Sequence, residues 1–371
     1  MKLILSLSFK GFLILLLLSC VNTSYSRFDE KAIDDELVDL IVGQFPHHSS
    51  AFYENELKVK EPKLKENPDD FELRNDVAVA YLKLAKWSEA IFHFKLNESK
   101  HPGQYKTNSN LGVMYKKMGQ FSEAAFYIKK ALEIKPGGHM GLGDYYLKMI
   151  NWRQQYNPEA NINFLGVSYN DSAKTAQIAN KEYVITLIKN DYQFVDSYLV
   201  LGDILYEEGN LQLAIRAYIR AQQLGGIHNY GKQASIGFKK YQEAAKKLAK
   251  SKSALQVSDV MKGYGQITSE LNNAVQWLKD FQDTETEMIK AGKEITFEKV
   301  REEMTVNNLY KPRIIEAVVF RGMEYDPILI FLFIIISPLV CYYIYDKRKR
   351  MKIAKEVRGT RKKMTSFRLS R

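Results

Sequence analysis

Metal-assisted chemistry needs several His, Cys, Asp or Glu side chains at a spacing that lets them converge on one ion. The 371-residue chain offers six His and two Cys. Two Cys exclude a disulfide-stapled scaffold and any Cys-rich zinc or iron–sulfur site. His47 and His48 are adjacent, a poor geometry for a single metal, and read as a solvated loop. His93 and His101 share no obvious ligand set. The chain has no Gly-rich loop ending in Gly-Lys-Ser/Thr, no His-Glu-x-x-His, no Cys-x-x-Cys and no Gly-x-Ser-x-Gly. Gly141 and Gly143 lack both a third glycine and a preceding strand pattern. Glu207 and Glu208 read as a solvated helix end. The reading is a chain that is not an enzyme and takes no metal or cofactor. The alternatives are an enzyme with an unrecognised site in 139–195 or in the C-terminal helices, and a chain that binds anionic lipid or nucleic acid through its basic tail.

The remaining chemistry-bearing residues lie at the ends. Lys2 and Lys10 precede the short apolar run Gly11–Leu18, the layout of an export signal. Leu17-Leu18-Ser19-Cys20 resembles a bacterial lipobox, which would make Cys20 a lipidated mature N-terminus. The other readings are cleavage near Ser24–Ser26 or retention as a signal anchor. Pro327–Tyr345 carries no charge over 19 residues, enough to span the ~30 Å apolar layer of a bilayer as a helix. Tyr342, Tyr343 and Tyr345 fall where an interfacial aromatic belt would lie. Cys341 reads as a small apolar span residue. From Lys347 to Arg371 there are twelve Lys/Arg and one acid, the whole of the +11 net charge. The body is therefore balanced, and the bulk charge gives no case for specific nucleic-acid binding. A basic tail beside an apolar span predicts a cytoplasmic C-terminus touching anionic lipid headgroups. The predicted topology is single-pass, in a bacterial inner membrane, with the body extracytoplasmic.

The body is organised by a repeat. Val77-Ala78, Tyr81, Ala90, Phe94 and Pro102 recur 34 residues later as Leu111-Gly112, Tyr115, Ala124, Ile128 and Pro136. A third copy starts near Val195, with Leu201-Gly202, Gly209, Ala214, Tyr218 and Ala221 at the same internal positions. This pattern resembles the tetratricopeptide repeat, and the resemblance covers about 100 residues directly. It implies an all-α chain: a solenoid of helical hairpins with additional C-terminal helices and one C-terminal transmembrane helix. Small Ala124 and Ala131 let the second helix approach the first, and Pro136 ends the unit.

The resulting map is signal 1–20, a degenerate capping repeat within 21–70, and two repeats over 71–138. A divergent repeat with an inserted loop follows over 139–194, then a repeat over 195–228. Further helices fill 229–326, the span is 327–345 and the tail 346–371. Ala51–Glu66 is helix-forming, with Pro62 expected to interrupt it. Asn157–Ser172 reads as a loop, and Gln266–Lys293 as a long amphipathic helix with the solenoid, the membrane or another copy as its docking surface. The Phe45-Pro46-His47-His48 and His139–Gly143 phrases resemble the two ends of a repeat block in bacterial proteins of this type, and imply no activity.

The resemblance also implies a concave groove that binds a protein or peptide, lined by fixed positions of each first helix. These are Glu72, Asn75, Val79 and Leu82 in the first copy. The second supplies Lys106, Ser109, Asn110, Val113 and Lys117, and the third Asp196, Leu199, Asp203 and Tyr206. Packing could turn some of them toward neighbouring helices instead. Lys106 and Asn110 partly fit the carboxylate clamp of some such domains, whereas Val79 and Asp203 do not, which disfavours that function. A membrane-anchored scaffold for polypeptides is the function this predicts.

Overall fold

The computed structural model describes residues 35–138, 142–250 and 257–307, together with Leu309 and residues 342, 343, 345–349 and 351. The segments 1–29 and 322–371 form one unit and 30–321 another. In the first unit the described residues from Tyr342 onward are helical. The expected signal, Cys20 and most of the expected span, 327–341, lie outside the described residues. Among the described residues no helix is long and apolar enough to cross a membrane.

The described part of the second unit is all-α, with one isolated bridge between Ile162 and Ser168. α1 (Asp35–Val42) and α2 (Ser50–Glu66) lead into two matched hairpins. These are α3 (Phe71–Lys83) with α4 (Trp87–Lys100), and α5 (Tyr105–Lys117) with α6 (Phe121–Ile134). Both hairpins pair a 13-residue helix with a 14-residue one, as the 34-residue offset requires. Ser49 and Asp70 cap α2 and α3 by accepting the backbone N–H of Phe52 and Leu73. Gly112 lets α5 and α6 meet: a Cβ there would lie 2.6 Å from Ile128 and 3.2 Å from the Ala124 carbonyl. Ala124 is completely buried in that contact.

The turn inside each hairpin needs a left-handed residue. Gly119 (φ +75°) and Gly209 (φ +79°) supply it in the second and third copies. The first copy has Ala85 there, at φ +55°. α2 runs unbroken through Pro62, against the expectation of an interruption. Pro62 sits exposed near the helix end, and Leu57 and Leu64 on either side of it are anchored against Val77 and Ala80. Tertiary packing outweighs the lost backbone bond.

The stack changes direction after α6. α7 (Leu142–Gln154), a structured loop, α8 (Ser172–Ile178) and α9 (Lys181–Asn190) follow. α9 runs parallel to α7: Asn180 N–H donates to the Tyr145 hydroxyl near their starts, and Arg153 meets Asp191 at 3.2 Å near their ends. A regular repeat would make these helices antiparallel. α10 (Val195–Glu207) therefore begins where α5 and α7 finish. Lys116 pairs with Asp191 at 2.8 Å, and Trp152 and Arg153 both lie against Phe194. At the other end Glu208 pairs with Lys181 of α9. α10 packs against α11 (Leu211–Ile227), followed by α12 (Gly231–Lys250).

α13 (Val257–Lys290) is 34 residues long, about 51 Å at 1.5 Å per residue, and joins the two ends of the stack. Arg216 of α11, fully buried, makes a bidentate pair with Glu270, its Nε and Nη2 at 2.8 and 2.9 Å from the carboxylate oxygens. Fifteen residues later Glu285 accepts the Ser49 N–H and bonds the His48 ring, each at 2.6 Å, at the start of α2. Trp277, Phe281 and Met288 pack with Val300 and Met304 of α14 (Phe297–Val306). Most of the apolar stripe of the long helix is thus used inside this unit, while Val275 stays exposed. His48, expected in a solvated loop, instead stacks between Phe52 and Phe297.

Candidate functional site

The reversal of α10 divides the expected groove into an open part and a filled part. Asp196, Leu199 and Asp203 of the third copy are at most 1% exposed. Asp196 receives the Phe164 N–H and the Tyr169 hydroxyl from the inserted loop. Asn163 folds that loop, accepting the N–H groups of Leu165 and Val167 and donating to Thr175. Asp203 pairs with Lys240 of α12 at 2.6 Å and accepts from Tyr218. These three positions are corrected from groove to interior, because α10 enters the stack from the opposite end and meets the loop and α12. Tyr206 is half-buried, with the Lys247 ammonium 4.0 Å from its ring centre.

The first two copies behave differently. Asn75 donates to Thr107 at 3.0 Å and is buried between α3 and α5; Ser109 and Leu82 are buried as well. These three also turn from groove to interior. Glu72, Lys106 and Lys117 are exposed, and Val79, Asn110 and Val113 are partly exposed. α2 extends this face. A cavity of about 140 Å³ lies between α2 and α3, lined by Phe52, Tyr53, Glu56, Lys60, Asp76, Val79 and Ala80.

Charge on the face is largely paired. Lys60 bridges Glu56 (2.5 Å) and Asp76 (3.3 Å), while Lys106 bridges Glu72 (2.5 Å) and Asp76 (3.2 Å). Partial burial opposes the charge on both lysines, but these carboxylates outweigh it and raise each ammonium above its usual range. Lys106 is therefore already occupied by the preceding repeat. Its pairing with Asn110 as a clamp would first have to displace Glu72 and Asp76.

Sequence reasoning missed α2's share of this face and the strap 43–49. The 34-residue spacing of Pro68 and Pro102 marked a half-repeat, and Asp76 and Lys83 stand 34 residues before Asn110 and Lys117. The Phe45-Pro46-His47-His48 phrase fell in the strap but gave no sign of its contacts. His47 packs against Phe45 and Tyr192 and is pushed down to about 4, by burial first and then by the charges of Lys83, His48 and Lys117. His93 stacks on Tyr81 and His101 lies against Phe71. Among the described residues no group of three or more His, Cys, Asp or Glu could hold a metal.

Beside the 139–195 insertion, Asp196 is raised to about 7 by burial, and Tyr169 within it is raised by burial and by Asp196. Both are spent on holding the loop to α10.

Residues 105–137 and, separately, 195–224 match the tetratricopeptide repeat family. No curated protein matches the chain at a significant level. The matched segments coincide with α5–α6 and with α10 and most of α11, and the α3–α4 hairpin repeats the helix lengths of α5–α6. Two of the chain's helical hairpins are thus similar to tetratricopeptide repeats, which suggests a protein-interaction scaffold.

Proposed function

We propose that the chain is a membrane-anchored scaffold whose open concave face on α2, α3 and α5 binds a polypeptide. The observation that carries this is the contrast between the two matched repeats. The second presents Lys106, Asn110, Val113 and Lys117 beside an open cavity, whereas the equivalent surface of the third is filled by the chain itself. A mixed face of paired charges around Val79 and Val113 suits an extended segment with apolar and polar side chains. The working surface is non-catalytic, and the chain uses no cofactor.

Anchoring is supported by the uncharged run 327–345 and the basic tail. The tail meets anionic headgroups in the cytoplasm, and the repeats lie outside it, after export directed by 1–20 with Cys20 as the lipidation position. Changing Lys106 and Asn110 together to Glu and Ala tests the groove. Asn110 is partly exposed and the ion pairs of Lys106 are exposed and weak, so folding stays intact while binding falls. Unchanged binding would contradict the reading. Reporter fusions at residues 150 and 371 test the topology; a cytoplasmic residue 150 would remove both export and lipidation.

A further inference from the structure

The concave face carries cations it does not neutralise, and they sit together. Lys60 and Lys106 are each spent on two carboxylates. Lys83 and Lys117 form no ion pair among the described residues. Asp191 acts on Lys117 at longer range, but it is held by Lys116 and Arg153. Each of the two lysines is the last residue of its helix, α3 or α5, so they occupy the same position in successive hairpins. A lysine there is favoured by the helix dipole alone. Two whose charges also reach each other are a different matter: burial, then Lys117, hold Lys83 below the usual lysine range. Both also act on His47 of the strap, whose Nε2 is shut off from solvent and has no hydrogen-bond partner among the described residues. The Lys83 ammonium lies 5.9 Å from the centre of the Tyr53 ring, and Tyr53 is a wall of the 140 Å³ cavity. A positive corner and a pocket of mixed lining, with Phe52, Tyr53 and Val79 as its apolar side, are therefore neighbours.

We propose that this corner binds an acidic side chain of the polypeptide partner. Lys83 and Lys117 flank the carboxylate. An adjacent apolar side chain enters the cavity between Phe52, Tyr53 and Val79. Glu72 and Lys106, exposed at the starts of α3 and α5, continue the face beyond the corner, so the peptide runs on past it. The preferred partner is an acidic segment with an apolar anchor. This inference rests on the groove reading above.

The test uses the full chain in detergent against an array of random 12-residue peptides with amidated C-termini. The wild type is expected to select Asp or Glu beside an apolar residue. The double variant Lys83→Glu, Lys117→Glu selects Lys or Arg at the same register and loses about tenfold affinity for the best acidic peptide. Unfolding curves show that it remains folded. Identical selection by both proteins, or no acidic preference in the wild type, overturns the proposal. Val79→Glu separates the two readings. If it abolishes binding while charge reversal leaves selection unchanged, the groove stands and the acidic-side-chain site falls. If neither change affects binding, both fall.

Discussion

Replacing His48 by Ala opens the closure between the two ends of the stack. The His48 ring lies 3.7 Å from Phe52 and 4.4 Å from Phe297, stacked on both, and bonds a Glu285 that is 0% exposed. Removing the ring leaves that buried carboxylate with Ser49 alone, a loss of about 1–3 kcal/mol. The two ring contacts are worth about 0.5–1.5 kcal/mol each, which brings the total to about 2–6 kcal/mol. His48→Phe keeps the stacking and forfeits only the first part. Hydrogen exchange measured by mass spectrometry reads the effect locally. α14, the last turns of α13 and the start of α2 are expected to exchange faster in His48→Ala, with His48→Phe between it and the wild type, while α5 and α6 are unchanged. Acid should do the same. Burial works to raise the Glu285 pKa, but bonds from His48 and Ser49 outweigh it and hold the carboxyl below its usual value. The stability it contributes is present above the ordinary glutamate range of about 4.3 and is lost as pH falls through the lowered value. Wild-type exchange rates at α14 in His48→Ala would refute the closure.

Three other outcomes follow from packing and charge. Ala124→Leu overfills the contact of α5 with α6 and destabilises by about 1–3 kcal/mol, lowering the melting temperature; an unchanged value would refute the hairpin register. Ala85→Gly relieves the one left-handed non-glycine turn among the three hairpins and stabilises by about 0.5–1 kcal/mol in denaturant titration, whereas Gly119→Ala at the equivalent turn destabilises. Asp196, raised to about 7 by burial, is stabilising as the neutral acid, so the wild type loses stability as pH rises from about 4 to 7. Asp196→Asn flattens that slope, and equal slopes would show that the carboxyl is not desolvated as described.

Local pattern revealed what is locally determined. Small residues at Gly112 and Ala124, the aromatic at Tyr115 and the stop at Pro136 each act within one hairpin, so their spacing carries the fold of α3–α6. The direction of α10 is not of this kind. It is set by α9 lying parallel to α7, which rests on Asn180 with Tyr145 and on Asp191 with Arg153 and Lys116, up to 75 residues away. Repeat numbering alone therefore carried Asp196, Leu199 and Asp203 into a groove that packing had filled. The closure by His48 and Glu285 spans 237 residues and leaves no periodic trace. The cavity was missed for a related reason: Phe52, Tyr53 and Lys60 belong to a helix too degenerate to be aligned, although Asp76 and Val79 opposite them were within the first copy.

Photo-crosslinking from single positions in native membranes tests the central claim most directly. Crosslinker at Val79, Asn110 or Val113 reports the open face of α3 and α5, while Phe92 and Phe126, exposed on α4 and α6, serve as controls. The account predicts that one partner polypeptide is captured from all three face positions and from neither control. Capture mainly from the control positions, from the 157–172 loop or from α13 would contradict it and leave the repeats as a spacer.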